Sequence, residues 1–250
     1  MLDISLVILT CNQRDYTLRC LDSLSAFFDE PRCEVILVDN GSTDGTAESV
    51  QKEYPNVRVI RLDSNKGVAA GRNIGLKVAQ GRHLMILDND TIADADTIKS
   101  LSAYLDANSD VGLVAPKLLS ISGDVQTSFR PYPGIKAKVI NIIKGKSCSS
   151  IAIDIPDRPI EPFYVLGAAQ MFTREVYESS GGLDEKIFYG PEDADFCMAV
   201  RACGKRVVYL PYLSIIHDWQ RATTGNLLSP AARVHIRALI YFYRKHHRWF

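Results

Sequence analysis

The segment His83-Leu84-Met85-Ile86-Leu87-Asp88-Asn89-Asp90 ends a short apolar run in two carboxylates, two positions apart. A run of that length fits one buried strand and is too short for a helix. The acidic pair therefore stands where a strand runs out, and in an open α/β sheet that edge is where ligands bind. Paired carboxylates there point to a divalent cation holding a phosphorylated substrate, and hard oxygen donors favour Mg2+ or Mn2+. The plainer alternative is a strand-to-helix cap.

Outward from this strand, short β-branched runs alternate with helical patterns from residue 4 to about residue 119, the rhythm of a parallel sheet with crossover helices. Strands are expected at Ile4–Leu9, Glu34–Val38, Val57–Leu62, His83–Leu87 and Val111–Ala115, with helices near Tyr16–Phe28, Thr46–Tyr54, Val68–Gln80 and Asp94–Asn108. After Pro116 the pattern breaks into a loop-rich stretch through Pro162, with a broken strand signal at Val125–Phe129, and such inserts usually carry specificity. Order returns at Phe163-Tyr164-Val165-Leu166, followed by a helix at Glu192–Ala202, strands at Arg206–Leu210 and Ser214–His217, and a last helix near Pro230–His247.

Three early strands end in polar residues: Leu9 leads into Thr10-Cys11-Asn12, Val38 into Asp39-Asn40-Gly41, and Leu87 into Asp88-Asn89-Asp90. In a parallel sheet these ends share one edge and line one crevice. Asp39 is placed to accept hydrogen bonds from a base or ribose, while Ser42 to Thr46 equally suit turns and a helix cap. In Val68-Ala69-Ala70-Gly71-Arg72-Asn73-Ile74-Gly75 the glycines are four apart, a helical spacing that gives one closely packed face and leaves Arg72 and Asn73 off it, free to reach the crevice. A guanidinium there suits a diphosphate; an ordinary salt bridge is the rival reading.

Gly190-Pro191-Glu192-Asp193-Ala194-Asp195 opens a helix with Pro191 in its first turn. Acids are favoured there by the helix dipole alone, yet three in four residues exceed what capping needs. A carboxylate at a helix N-terminus stays ionised at neutral pH unless burial offsets the dipole, so one of these acids is a candidate base. His217, ending Leu213-Ser214-Ile215-Ile216, is either a satisfied strand-end histidine or a further metal ligand.

The bulk composition limits the alternatives. At 250 residues and 46% hydrophobic content the chain buries a substantial core. Lys plus Arg equals Asp plus Glu at 29 each, so no global basic field points to nucleic acid. Six scattered cysteines, with no zinc-type spacing, read as reduced and mostly buried thiols. The N-terminus, with its early Asp3, reads as a first strand and not as a secretory signal, and no apolar run reaches the ~20 residues of a membrane span, so a cytoplasmic location is expected.

Taken together, Val7-Ile8-Leu9-Thr10-Cys11-Asn12, Val38-Asp39-Asn40-Gly41-Ser42-Thr43-Asp44-Gly45-Thr46, Asn65-Lys66-Gly67 with Gly71-Arg72-Asn73, Leu87-Asp88-Asn89-Asp90, and Gly181-Gly182-Leu183-Asp184-Glu185 followed by Glu192-Asp193-Ala194-Asp195 resemble the inverting family 2 glycosyltransferases of the GT-A fold, especially the rhamnosyltransferase-like branch. The resemblance spans nearly the whole chain. It implies a Rossmann-like, mostly parallel central sheet flanked by helices, with residues 1–116 binding the nucleotide sugar and 117–250 forming the acceptor-binding and catalytic half of the same domain. It further implies Thr10, Asn12 and Asp39 at the nucleoside, Arg72 near the base or diphosphate, Asp88 at the ribose, Asp90 and His217 on the metal, and Asp193 as general base. Glu192 and the Gly-Gly-Leu-Asp-Glu segment would help shape the acceptor side. Many relatives of that branch carry Asn-Pro-Asp where this chain has Asp88-Asn89-Asp90, which leaves both UDP and dTDP donors open. The implied role is assembly of cell-envelope polysaccharide or glycoconjugate on a glycan or lipid-linked acceptor. The competing readings are a sugar-phosphate nucleotidyltransferase, which would want a glycine-rich basic loop after the first strand, and a catalytically silent nucleotide-sugar-binding scaffold.

At the C-terminal end Ile236, Leu239, Ile240 and Tyr243 recur at helical spacing, beside a basic stripe of Arg233, Arg237, Arg244 and Arg248. This predicts either a helix docked on its own domain or peripheral contact with an anionic membrane surface. The abrupt close at His246-His247-Arg248-Trp249-Phe250 fits a chain cut short.

Overall fold

The computed structural model describes residues 2–132, 134, 157–218 and 230–247. Cys148, Arg248 and most of the stretch between 133 and 156 lie outside them. The strands are β1 (Leu2–Thr10), β2 (Cys33–Asp39), β3 (Arg58–Arg61), β4 (Gly81–Asp88), β5 (Thr91–Ile92), β6 (Val111–Leu119), β7 (Val125–Gln126), β8 (Phe129–Arg130), β9 (Tyr164–Val165), β10 (Ala169–Thr173) and β11 (Arg206–His217). The helices are α1 (Arg14–Ser23), α2 (Thr46–Glu53), α3 (Val68–Val78), α4 (Ala95–Ala107), α5 (Arg174–Ser180), α6 (Glu192–Ala202) and α7 (Pro230–Lys245).

One sheet runs through the molecule in the order β3-β2-β1-β4-β10-β6-β11-β5, with β7 added on β6. The pairs β1/β2, β1/β4, β2/β3 and β6/β11 are parallel, and β10 is antiparallel to both its neighbours. Alternation along β1 decides which layer each residue serves: Ile4, Leu6 and Ile8 face α1, α2 and α4, whereas Val7 faces the side of α3 and α6. Helices thus cover both faces, and each fully buried Leu or Ile contributes about 1.5–3 kcal/mol.

The glycine spacing in α3 has the meaning its period implies. A Cβ on Gly71 would stand 2.5 Å from Leu9 Cδ1, and one on Gly75 would stand 2.5 Å from Val7 Cγ1. Only a bare backbone lets this helix lie so close on β1, and that approach brings Arg72 to the sheet edge.

The structure departs from the sequence expectations at several elements. β10 and α5 have no counterpart among the expected elements, and β10 separates β4 from β6 in the sheet. β6 runs through Pro116 to Leu119, and the two expected strands after residue 206 are one strand, β11, with a register shift between Leu210 and Ser214. The first helix stops at Ser23 and gives way to a 3-10 turn at Ser25–Phe27. On α7, Ala238, Phe242 and Tyr243 are buried while Ile236 and Ile240 are exposed, so the apolar residues do not form one docked stripe. Of the described cysteines Cys20 and Cys197 are buried, and Cys11, Cys33 and Cys203 are half-buried.

Candidate active site

Register alone levels the first three strand ends, because Thr10 pairs with Asp39 and Leu9 pairs with Asp88. The turn after β4 is held from inside: Asn89 Nδ2 donates to the hydroxyls of Thr10 at 3.2 Å and Thr17 at 3.1 Å, which lie 2.7 Å from each other. Thr10, expected at the nucleoside, thus has its hydroxyl in a buried network. Asn12, at φ +54°, clips the loop after β2: its N–H donates to Ser42 Oγ at 2.9 Å, and its Oδ1 accepts from Thr43 N–H at 2.8 Å. Asp39 is fully buried; its Oδ1 accepts from Ser42 N–H at 2.8 Å, and its Oδ2 has no protein partner among the described residues. A buried acceptor left in this state costs about 1–3 kcal/mol, so Asp39 Oδ2 marks where a ligand donor fits.

Asp88, Asp90 and His217 come together at the same edge, each offering one ligand atom within 4.8 Å of the others. His217 closes β11, its Nε2 lies 3.4 Å from Asp90 Oδ1, and the main chain is tied there by Asp218 N–H donating to Asp90 O at 2.8 Å. Neighbouring ligand atoms around a hard divalent ion are spaced by about 3 Å, so two carboxylates and an imidazole at this spacing fit such an ion. Burial opposes charge on His217, but the bond to Asp90 and the charges of Asp90, Asp88 and Asp218 outweigh it and hold the imidazole above its ordinary pKa.

Arg72 is buried at the junction between the strand ends and α6. It donates to Asp88 Oδ1 at 2.5 Å and to the Gly167 carbonyl at 2.9 Å, and its Nη1 lies 3.5 Å from Glu192 Oε1. The salt-bridge reading and the crevice reading of this residue are therefore both visible. Asn73 corrects the expectation that it faces the crevice. Its Nδ2 donates to the Leu183 carbonyl and to Glu185 Oε1, and its Oδ1 accepts from Leu183 N–H, pinning the Gly-Gly-Leu-Asp-Glu segment to α3. One residue along a helix rotates a side chain by about 100°, which carries residue 73 away from where residue 72 points.

The three acids opening α6 divide by direction. Glu192 turns inward to Arg72; desolvation, reinforced by the charge of Asp193 and opposed by Arg72, pushes its carboxyl up to about 7. Burial thus overrides the helix dipole that was expected to keep it ionised. Asp193 is half-buried, and its Oδ1 accepts from Ala194 N–H at 2.7 Å. Asp195 is buried against the last helix, pairing with Lys245 at 2.9 Å and His246 at 2.7 Å. The Gly167 carbonyl was invisible to sequence reading, since a backbone acceptor leaves no residue signal.

A doubly covered α/β sheet, with an acidic pair at a strand end and an acid-rich helix across the crevice, is the GT-A architecture of nucleotide-sugar glycosyltransferases. The chain belongs to glycosyl transferase family 2, whose family model matches residues 5–150. It is similar to N-acetylglucosaminyl-diphospho-decaprenol L-rhamnosyltransferase of Mycobacterium tuberculosis, 26% identical over 92% of this chain and 81% of that one. It is also 26% identical to the dTDP-rhamnosyl transferase RfbF of Shigella flexneri, over 84% of this chain and 67% of that protein. Among solved structures it is similar to S. aureus TarS 1–349 in complex with UDP-GlcNAc, with a TM-score of 0.66, 21% identity, and coverage of 90% of this chain and 60% of that one. A mannosyltransferase from Pyrobaculum calidifontis, in complex with GDP-Man and Mn2+, gives a TM-score of 0.62 at 22% identity, covering 88% and 57%. The chain thus spans about three-fifths of these solved chains, and the likeness to them is one of fold. Family membership sets aside the nucleotidyltransferase reading.

Proposed function

We propose that this chain transfers a sugar from a UDP- or dTDP-linked donor to an acceptor hydroxyl with inversion, in the assembly of cell-envelope polysaccharide on a glycan or lipid-linked acceptor. The observation that carries the reading is the convergence of Asp39, with its orphaned buried oxygen, and the Asp88, Asp90 and His217 group on one sheet edge, facing the acids of α6. Asp39 takes the nucleoside. Asp90 and His217, joined by Asp88, hold Mg2+ or Mn2+, which when bound offsets the charge developing on the departing nucleoside diphosphate. Asp88, fixed by Arg72, also borders the ribose, and Arg72 keeps its orientation through the Gly167 carbonyl. Asp193 removes the proton of the acceptor hydroxyl as that oxygen attacks from the face opposite the leaving group. One displacement with one base inverts the anomeric centre, whereas retention by double displacement would require a second, nucleophilic carboxylate.

The names of the rhamnosyl relatives support a deoxysugar donor and a lipid-diphosphate acceptor. No helix among the described residues is long and apolar enough to cross a membrane. Peripheral contact at the inner face of the plasma membrane is supported by the exposed face of α7, where Ile236 and Ile240 alternate with Arg233, Arg237 and Arg244.

A thermal-shift screen of nucleotide sugars with Mn2+ present tests donor and metal together, and the donor that raises the melting temperature identifies the base and the sugar. Asp90→Ala is expected to abolish metal-dependent transfer. Asp193→Asn is expected to retain donor binding and lower kcat by about 10²–10⁴-fold. Full turnover without metal removes the metal role, and unchanged transfer in Asp193→Asn removes the base.

A further inference from the structure

β7 is the return arm of a hairpin on β6, turned by Ser120 N–H donating to Asp124 O at 2.8 Å and Gly123 N–H donating to Ser120 O at 3.0 Å. Its register sets Gln126 opposite Leu118, while Leu119 pairs with Ile216 of β11. Gln126 and His217 therefore flank the same end of β6. The Gln126 carboxamide grips His217 at two points: its Nε2 donates to the His217 main-chain carbonyl at 2.7 Å, and its Oε1 lies 2.9 Å from His217 Nδ1.

The polarity of these two contacts follows from chemistry. A main-chain carbonyl only accepts, so the carboxamide end beside it is the amino group, and the opposite end is the oxygen. That oxygen has only lone pairs, so the atom facing it, Nδ1, must carry a proton. The charged ring also carries a proton on Nε2, 3.4 Å from Asp90 Oδ1; when a cation displaces that proton, the neutral imidazole keeps the one on Nδ1 and its lone pair stands on Nε2. We propose that Gln126 is a positioning residue for the cation site: it holds His217 in the Nδ1–H tautomer, with the Nε2 lone pair presented to Asp88 and Asp90. The proposal rests on the cation reading above. An amide suits this position because it orients the ring from outside the ligand set without adding a third anion to two carboxylates. It also gives the segment after Pro116 a function in the donor site.

The test is a Mn2+ titration of the intact chain, followed by electron paramagnetic resonance of free Mn2+, for wild type, Gln126→Met and Gln126→Glu. It is paired with 15N NMR of His217 in the metal-free protein at a pH where the ring is neutral. Gln126→Met is expected to weaken Mn2+ binding by about 10–100-fold, the usual scale for a lost ligand-orienting partner, with little change in metal-free melting. Gln126→Glu, which keeps an acceptor for Nδ1–H, is expected to recover most of that affinity, and wild-type His217 is expected to show the Nδ1–H tautomer. Unchanged affinity in Gln126→Met overturns the proposal, and so does an Nε2–H tautomer in wild type, a measurement that stands even if Gln126→Met fails to fold. Absence of Mn2+ binding by wild type with the Nδ1–H tautomer present overturns the cation reading itself, and the positioning role with it.

Discussion

Glu192 carries the site's clearest electrostatic signature, because desolvation and Asp193 raise its carboxyl to about 7 against the pull of Arg72. An acid whose folded pKa lies above its unfolded value keeps its proton longer in the fold. Its ionisation therefore destabilises the native state: the penalty is absent below about pH 4.5 and fully present above about pH 7. Glu192→Gln removes that titration, so its stability relative to wild type is expected to improve between pH 5 and pH 8 by an amount on the order of 1–3 kcal/mol, read from urea denaturation at the two values. A pH-independent difference would show that Glu192 is not the group held protonated. Asn89 sits at the same scale. It is the middle residue of Asp88-Asn89-Asp90 and donates to two buried hydroxyls, so Asn89→Leu is expected to cost about 1–3 kcal/mol in urea denaturation. Sequence reading assigned residues 88 and 90 because carboxylates announce their chemistry. It had no access to the role of residue 89, whose meaning lies in Thr10 and Thr17, 79 and 72 positions away.

Among the elements, α3 shows how tightly local sequence and site geometry are coupled. Gly75 is a poor helix former, and replacing it with Ala in an open helix would stabilise by roughly 0.5–1 kcal/mol. Here the added Cβ would meet Val7 Cγ1 at 2.5 Å and Val38 Cγ2 at 2.9 Å, both on stiff β-branched side chains of the underlying strands. Gly75→Ala is expected to destabilise by about 1–3 kcal/mol in thermal or urea melts and to raise the donor KM as Arg72 is lifted from Asp88. A stabilised variant would contradict the packing account. The helical period of small residues was legible because it repeats within one element. β10 was not legible for the opposite reason: Ala169-Gln170-Met171-Phe172 is buried throughout, so it shows no alternation, and the amide of Gln170 is held inside by Nε2 donating to Val165 O. Its antiparallel direction, set by pairing with Leu84–Leu87 and Leu113–Val114, is a tertiary choice that no local pattern encodes.

At the scale of the whole molecule, the early strands are tied to the later segments by Arg72, bonded to Gly167 and Glu192, and by Asn73, bonded to Leu183 and Glu185, and α7 adds bonds of its own to Asp184 and Asp195. Asp195 and Asp184 reach from the catalytic side to Lys245, with His246 and Tyr241 adding bonds to each acid, while Phe242 and Tyr243 fill the layer beneath. None of the bonds at Asp39, Asp88 or Asp90 described above involves α7. Removal of residues 230–250 leaves Asp195 buried without Lys245 and His246, at a cost of about 3–5 kcal/mol, and opens the aromatic layer against α6. That truncation is expected to lower the melting temperature and abolish transfer while a nucleoside diphosphate with Mn2+ still binds, as read by calorimetry below the lowered transition. Full transfer by the truncated chain would show that α7 is dispensable to the acceptor side. Loss of nucleotide binding in a chain that remains folded would show that the two sides act as one unit. The separate outcomes follow from topology: Asp39 and Asp88 stand at the ends of the parallel strands β2 and β4, whereas Asp195 of α6 is paired by Lys245 and His246.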